Sequence, residues 1–444
     1  MRRSWLRLGA LSALAAFVLA PAQPVARAGE TKLERRAKEI VREVLATDPA
    51  EGTLPGIVVR RGRVLAARNR NDRFTPASIQ KLATTAAALM RFGPDHRFAT
   101  RALAVGARAD GSIGRLVLVG GGDPTLASAP FRKRYFIRRD GMTKDERVFP
   151  SGSPTVGSIA HRIAAAGITR IRGNLLADDS LFDRERTQDG WKSSYLDRST
   201  GGPYVGLISA LVVNQGYANL DQTKIASSPA LFAARKLRDA LENRGVEVDG
   251  RVVYRSAPDG AFEIARATSP PLGEIVGWVN RWSANHPAEL LLKGLGATFR
   301  GEGSTDAGRR VVKRALRDSR IDIDGYRLED GSGLSLLDRM TPRMVAGILR
   351  WALRSDGPDA RALRRSLAVA CRPGTLFHRM CETRAEGNLR GKTGLVSGVR
   401  AMAGWVRGVD GVRTIYVAIF NRVDDEGALT STLDLLGRRL ARFP

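Results

Sequence analysis

Residues 75–81 read Thr75-Pro-Ala-Ser-Ile-Gln-Lys81, and the apolar residues that follow recur at three- and four-residue steps as far as Leu89. Thr75 and Pro76 are typical of a helix start, where they serve as N-cap and first-turn proline. We therefore predict a helix that opens near Ser78 and carries Lys81 one turn later on the same face. This spacing places the Lys81 amine within reach of the Ser78 hydroxyl.

Ser78 and Lys81 form a candidate pair of nucleophile and base. A serine hydroxyl is a weak nucleophile until a neighbouring group accepts its proton. An amine accepts that proton only if its pKa falls towards neutrality, which burial and a nearby cation achieve. The alternative, a capping serine with an exposed lysine, fits less well because both residues share a face with Leu82 and Leu89.

Two further motifs follow in order, Ser283-Ala-Asn285 and Lys392-Thr-Gly394. Each arises by chance in long chains, but the three together, in this order, form a recurrent pattern of enzymes with a serine nucleophile. Lys392 lies at the start of a strand region and is a candidate for the second cation beside Lys81.

The flanking patterns predict the architecture. Residues 56–60 and 63–67 form one hairpin pattern, and residues 400–406 and 414–420 form another. We expect these two ends of the chain to pair in one antiparallel sheet flanked by helices, which makes the fold class α/β (α+β). The predicted catalytic domain is discontinuous, with residues 29–95 and 268–444, and residues 96–267 form an inserted, mostly-β domain.

The N-terminus has the pattern of a secretory signal. Arg2, Arg3 and Arg7 precede an apolar run at residues 8–20, and Ala26-Arg-Ala28 offers small residues for cleavage after Ala28. A retained anchor helix is the alternative, but the run is short for one. We expect residues 1–28 to be removed and the mature chain to be exported to the periplasm.

Charge and rare residues narrow the range of partners. The chain has 72 Lys and Arg against 45 Asp and Glu, a formal charge of +27, yet no basic stripe with interleaved aromatic residues that would predict nucleic-acid binding. Anionic lipids or wall polymers are the expected partners of this charge, with at most peripheral membrane association.

Four histidines argue against a metal cluster. Cys371 and Cys381 are expected to form a structural disulfide in an exported chain.

The three short motifs, and longer stretches that contain or accompany them, resemble those of a known family. This family is the penicillin-binding D-alanyl-D-alanine carboxypeptidases/endopeptidases of the low-molecular-mass class C type, serine peptidase family S13. The resemblance covers nearly the whole mature chain and implies a penicilloyl-serine transferase fold. Besides the three short motifs it rests on Gly121-Gly-Asp-Pro-Thr-Leu126, Gly173-Asn-Leu-Leu-Ala-Asp-Asp-Ser-Leu-Phe182, Ser283-Ala-Asn-His-Pro-Ala-Glu-Leu290, Asp330-Gly-Ser-Gly-Leu-Ser335 and Gly391-Lys-Thr-Gly394.

The resemblance also implies roles for individual residues. Ser78 would attack a D-Ala-D-Ala bond or a peptide cross-link of peptidoglycan, and Lys81 would accept its proton. Ser283 would relay a proton to the leaving amine. Asn285 would hold the substrate amide and orient Lys81, while Lys392 would place positive charge near the substrate carboxylate. No metal or cofactor is implied, and β-lactams would act as inhibitors by trapping Ser78.

Residues around the third motif are expected to bind substrate, and Leu395, Leu336 and Ala284 depart from the family pattern. Thr393 and Gly394 would contact the substrate, and the backbone N–H of Leu395 would join that of Ser78 in the oxyanion hole. The residue at position 395 is usually Thr or Ser, which helps to grip a terminal carboxylate, so Leu395 favours endopeptidase over strict carboxypeptidase action. Leu336 occupies a position that often carries arginine, with Arg339 three residues on.

Asp178 is the position that would meet the amino end of a diaminopimelate-type side chain, although Asp179 is adjacent. His286 is interpreted as a helix-start residue near the cleft and not as a base.

Two other functions remain open: a β-lactamase or esterase of the same fold, and a non-catalytic scaffold that binds the cell wall. The intact Ser78, Lys81 and Lys392 argue against the scaffold.

Overall fold

The computed structural model describes residues 30–47, 53–134, 149–197 and 203–444, so the predicted signal segment lies outside the described residues. The helices within them are α1 (Lys32–Ala46), α2 (Gln80–Phe92), α3 (Ala129–Arg134), α4 (Val156–Ala165), α5 (Pro229–Glu242), α6 (Leu272–Arg281), α7 (Asn285–Arg300), α8 (Thr305–Asp318), α9 (Pro342–Arg354), α10 (Pro358–Ser366) and α11 (Glu426–Ala441). The strands are β1 (Leu54–Arg61), β2 (Arg63–Arg68), β3 (Ala99–Ala107), β4 (Ser112–Val119), β5 (Arg170–Ile171), β6 (Leu175–Asp178), β7 (Glu247–Val248), β8 (Val252–Tyr254), β9 (Phe262–Thr268), β10 (Ala368–Val369), β11 (Arg390–Val396), β12 (Val399–Arg407) and β13 (Arg413–Asn421).

One sheet joins the two ends of the chain. Its six strands lie in the order β10-β11-β12-β13-β1-β2, and every neighbouring pair is antiparallel. In its centre β1 pairs with β13, which places Val58 opposite Val417. The prediction that the hairpins near residues 60 and 400 share an antiparallel sheet is confirmed.

Helices cover both faces of this sheet. Alternate residues of a strand point to opposite faces, so Val58 and Val417 pack with α2 and α6–α10, while Ile57 and Ala418 pack with α1 and α11. Because neither face is open to water, β12 and β13 are almost continuously buried. The thicker helical layer, on the first face, carries the helix that follows Ser78.

A second sheet occupies the middle of the chain. Its path is β7-β5-β4-β3-β9, with β6 paired to β4 and β8 paired to β6. Four of its pairings are parallel, and α4 and α5 pack on it. Parallel strands need crossover connections, which are usually helical, and α4 and α5 form a helical layer beside the strands of this region. We propose that the domain boundaries follow the two sheets, with residues 96–267 as the insert.

The turn before α2 differs from the predicted helix start. A short 3₁₀ turn occupies Ala77–Ile79, and α2 begins only at Gln80. Thr75 is not an N-cap: its N–H donates to Asn421 Oδ1 at 2.8 Å and its hydroxyl accepts from Arg339. Ala77 has a φ of 47°, in the left-handed region, so the chain bends sharply between Thr75 and the helix. The cap prediction is therefore wrong, and the bend presents Ser78 at the edge of the sheet.

The two cysteines are bonded to each other. Cys371 and Cys381 form a disulfide across the segment between β10 and β11, which confirms the expected structural role. In the part of the chain that the structure describes, no helix is long and apolar enough to cross a bilayer.

Candidate active site

Lys81 is fully buried at the start of α2 and lies against the Ser78 hydroxyl. Its Nζ is 2.8 Å from Ser78 Oγ, 2.7 Å from Asn285 Oδ1 and 2.6 Å from the carbonyl oxygen of Ser332. The last two atoms only accept hydrogen bonds. A neutral amine has two hydrogens and one lone pair, so its hydrogens are taken by Asn285 and Ser332 and its lone pair faces Ser78. The contacts thus hold Lys81 in position to accept the serine proton.

Burial lowers the pKa of Lys81 to about 7, although the carboxyl groups of Asp330, Glu289 and Asp338 act in the opposite direction. Burial, together with the charge of Lys81, also holds the pKa of Lys392 well below its usual range. Two amines that share a buried site do not both remain charged near neutral pH. One of them is therefore available as a base under ordinary conditions.

The second and third motifs meet through a hydrogen bond between their side chains. Lys392 Nζ donates to Ser283 Oγ at 2.9 Å and to its neighbour's carbonyl, Thr393 O, at 2.7 Å. Ser283 precedes α7 with a left-handed φ of 60°, and Asn285 begins the helix. The Nδ2 of Asn285 donates to Tyr204 O in the insert. The structure therefore links the first motif to the second through Asn285, and the second to the third through Ser283.

Strand β11 approaches the Ser78 turn so closely that position 394 has no room for a side chain. A Cβ on Gly394 would lie 2.9 Å from Pro76 O and 3.3 Å from Ala77 Cβ. The absence of that Cβ lets the backbone of β11 approach the serine turn at the residue before Leu395. The Leu395 side chain itself is 58% exposed, whereas Thr393 beside it is half-buried.

The buried loop at residues 330–335, none of whose residues was predicted to be a site residue, holds Lys81 in place. Glu289 accepts the backbone N–H groups of Gly331 and Ser332, at 2.9 and 2.8 Å. Asp330 accepts Ser335 N at 2.7 Å and the Trp191 indole N–H at 2.8 Å. These bonds fix the carbonyl oxygen of Ser332 that receives Lys81. Glu289 lies one turn after Asn285 on α7, a helical spacing that places both on one face.

Asp178 lies apart from this arrangement. It ends β6 in the insert, where one carboxyl oxygen accepts Ser180 N at 2.9 Å and the other accepts Ala257 N at 2.8 Å. Asp179 pairs with Arg186 at 2.7 Å. Within the described residues, the hydrogen bonds of Asp178 hold a turn of the insert and do not reach the three motifs. Its role towards a diamino acid stays a prediction.

His286 and Arg339 have structural partners. His286 is buried with Nε2 3.2 Å from Leu207 O, and burial lowers the pKa of its ring to about 4. The imidazole is neutral and tied to the insert, in keeping with its interpretation as a helix-start residue. Arg339 donates to Thr75 Oγ1 and to the carbonyl oxygen of Leu336, at 3.0 and 2.7 Å, and so braces the chain before the serine turn.

The three motifs match a known family along most of the chain. The sequence profile of the D-Ala-D-Ala carboxypeptidase 3 (S13) family matches residues 38–227 and 222–439. The chain belongs to this family. It is 30% identical to the D-alanyl-D-alanine carboxypeptidase of Actinomadura sp. (strain R39), over 90% of this chain and 84% of that protein. It is also 30% identical to carboxypeptidase DacB of Mycolicibacterium smegmatis, over 93% and 88% of the two chains.

A solved structure supports the fold assignment. Penicillin binding protein 4 (dacB) from Haemophilus influenzae aligns with a TM-score of 0.75 at 20% identity, over 90% of this chain and 98% of that one. That protein has also been solved in complex with a β-lactam, a structure that aligns with a TM-score of 0.69. The S13 resemblance and the transpeptidase-like fold that it implied are confirmed. The chain is an S13 serine peptidase of the D-Ala-D-Ala carboxypeptidase class, a family of cell-wall enzymes.

The protonation of Lys81 predicts how acylation depends on pH. If Lys81 is the base, only its neutral form can accept the serine proton, so its pKa of about 7 would separate an inactive, protonated form at lower pH from an active form above it. We expect the rate of penicillin acylation to rise with pH, to be half-maximal near pH 7 and to fall about tenfold for each unit below about pH 6. Labelling rates measured from about pH 5 to about pH 9 test this dependence. A rate that falls as pH rises through 7 would contradict the assignment of Lys81.

Proposed function

We propose that this chain is a periplasmic D-Ala-D-Ala carboxypeptidase and DD-endopeptidase that cleaves peptidoglycan stem peptides and cross-links through an acyl-enzyme on Ser78. The observation that carries the proposal is the contact of 2.8 Å between Ser78 Oγ and Lys81 Nζ, an amine whose burial lowers its pKa to about 7. The pattern of its N-terminus and its membership of a cell-wall enzyme family support an exported location.

In the acylation step, Lys81 accepts the proton of Ser78 while Oγ forms a bond to the D-alanyl carbonyl carbon. The backbone N–H groups of Ser78 and Leu395 hold the developing oxyanion. The leaving amine takes a proton from the Ser283 hydroxyl, which regains one from Lys392 through their hydrogen bond of 2.9 Å. The C–N bond breaks and leaves an ester on Ser78. Lys392 then recovers a proton as Lys81 releases the one that it accepted.

In the deacylation step, water attacks the ester and the neutral Lys81 accepts a proton from it. The proton returns to Ser78 Oγ as the ester bond breaks, and the free acid leaves. A β-lactam follows the first step only, because the nitrogen released by ring opening stays tethered to the acyl group. That group remains in the site and hinders the approach of water, so Ser78 stays acylated.

Labelling of the mature chain with a fluorescent penicillin tests the proposal directly. We expect a stable adduct on Ser78 and none in the Ser78→Ala variant. The same experiment distinguishes the two other functions. A non-catalytic scaffold takes up no label, and a β-lactamase is labelled only briefly because its acyl-enzyme hydrolyses rapidly.

Leu395 predicts which bond the enzyme prefers. A hydroxyl at this position helps to hold a terminal carboxylate, whereas the scissile bond of a cross-link need not precede a free terminus. We expect cleavage of purified muropeptide dimers to be at least as fast as release of D-alanine from pentapeptide monomers. Mass spectrometry of the two products measures the ratio, and Leu395→Thr should shift it towards alanine release. Alanine release alone by the unaltered enzyme would contradict the prediction.

A further inference from the structure

Five arginines line one hollow at the end of the six-stranded sheet. Arg60 of β1, Arg350 and Arg354 of α9, Arg407 of β12 and Arg413 of β13 surround a cavity of about 310 Å³, whose lining contains no acidic side chain. We call these residues the arginine face. They come from four elements that are distant in sequence, so the cluster is a product of the fold and not of a basic segment.

The charges of the arginine face are not balanced from within the protein. Among the described residues none of the five forms an ion pair, whereas arginines elsewhere commonly do, as Arg170 does with Asp249. Burial and the nearby Arg350 and Arg354 lower the pKa of Arg60. The Nε of Arg60 is buried without a hydrogen-bond partner in the described structure. Like charges held together in this way favour an anion between them.

The basic surface continues on both sides of the hollow. A neighbouring cavity of about 220 Å³ shares Arg60 and Arg350 and adds three more arginines and one aspartate, Arg70, Arg320, Arg343 and Asp322. Asp322 is paired with Arg343 at 3.0 Å, so it neutralises only one of them. On the other side a third cavity adds Arg390, whose pKa burial lowers, and Glu386, which is paired with Arg372 at 3.2 Å. The surface therefore offers several sites for anionic groups side by side.

Two exposed valines lie at the edge of the same hollow. The turn that joins β12 to β13 carries Val409 and Val412, which are 52% and 46% exposed, and Val412 lines the cavity. The one acidic side chain of this turn, Asp410, is paired with Arg61 at 2.6 Å. An apolar tip beside unpaired cations suits the boundary between headgroups and acyl chains. It would add nothing to the binding of a soluble polyanion.

We propose that the arginine face is a docking surface for a bilayer that contains anionic phospholipids. The guanidinium groups bind lipid phosphates, and Val409 and Val412 enter the headgroup layer. This surface is separate from the catalytic groups, but docking through it would fix the distance between those groups and the bilayer surface. Lys392 lies opposite Ala403 on β12, and Arg407 ends the same strand. At about 3.4 Å per residue the reactive groups would stand about 14 Å from the docked end of the strand.

Sedimentation of the purified mature chain with phospholipid vesicles tests the docking surface. We expect binding to vesicles of equal parts phosphatidylglycerol and phosphatidylcholine at moderate salt, and none to phosphatidylcholine alone. The triple variant R350Q/R354Q/R413Q should bind the anionic vesicles about 100-fold more weakly. The matched control R108Q/R251Q/R255Q removes the same charge from exposed positions of the insert and should bind within about 2-fold of the unaltered protein.

The valines distinguish a bilayer from a soluble polyanion. V409S/V412S should lose about 10-fold in vesicle binding while its binding to soluble polyphosphate stays unchanged. All variants should keep the penicillin labelling of Ser78, which shows that they are folded. Equal loss of vesicle binding in the two triple variants would overturn the proposal, because the effect would then follow net charge alone. Vesicle binding unaffected by V409S/V412S would also overturn it, since the face would then bind phosphate groups without a bilayer.

Discussion

Replacement of Lys81 with methionine is expected to slow penicillin acylation of Ser78 by about 10³-fold or more, without unfolding the protein. The variant keeps the length of the side chain but has no lone pair for the serine proton. It leaves Ser332 O and Asn285 Oδ1 without the hydrogens that Lys81 donates. It also removes from a fully buried position an amine that becomes charged below about pH 7. These two effects on stability oppose each other, so we expect the free energy of unfolding to change by less than about 2 kcal/mol.

Lys293→Met is the matched control for this variant. Lys293 is also fully buried, on α7, but it contacts Asp183 and Glu185 O and none of the three motifs. Its loss should lower stability and leave the labelling rate of Ser78 close to that of the unaltered enzyme. Rates from rapid-quench labelling and midpoints from urea unfolding separate the two variants. If the Lys81→Met variant were acylated at nearly the rate of the unaltered enzyme, Lys81 would be excluded as the base.

Replacement of Gly394 with alanine is expected to reduce acylation about 100-fold, through geometry alone. The added methyl group would lie 2.9 Å from Pro76 O and 3.0 Å from Ala401 Cβ. Neither atom belongs to a flexible side-chain end, so β11 must move away from the Ser78 turn. That movement displaces the Leu395 N–H and Lys392 together. The expected cost in stability is about 1–3 kcal/mol, as for other overpacked positions.

Gly277→Ala is the control for the effect of a methyl group as such. Gly277 lies within α6, and a Cβ there would meet no atom within 4 Å. Alanine should leave acylation unchanged and stabilise the helix by about 0.5–1 kcal/mol. Acylation kinetics and thermal unfolding of both variants give the comparison. Gly394→Ala with undiminished acylation would mean that the contact between β11 and the serine turn does not position the reacting groups.

The sequence predicted the parts of this structure that rest on local patterns. The short apolar runs near Val58 and Val417, each beside a turn signal, predicted strands of an antiparallel sheet flanked by helices. The three-residue step from Ser78 to Lys81 predicted their contact, which the structure makes across a 3₁₀ turn that leads into α2. The order of the three motifs, with the resemblance to family S13, supplied the remaining site residues that the structure brings together.

The features that the sequence did not predict depend on contacts between distant segments. The bend at Ala77 is stabilised by the bonds of Thr75 to Asn421 and Arg339, which no local propensity indicates. The support of Lys81 by Ser332 needs Glu289 of another helix to bind the loop after Asp330. Asp178 was assigned from its motif alone, whereas its hydrogen bonds are set by how β6 meets the segment after β8.

The bond between Thr75 and Asn421 joins atoms that are 346 residues apart in the chain. The serine turn therefore acquires its final shape only after the last strand has been synthesised and has paired with β1. A chain that ends before β13 contains Ser78 but lacks the Asn421 contact that holds the serine turn in place. Penicillin labelling is therefore expected only of chains that have been completed as far as Asn421.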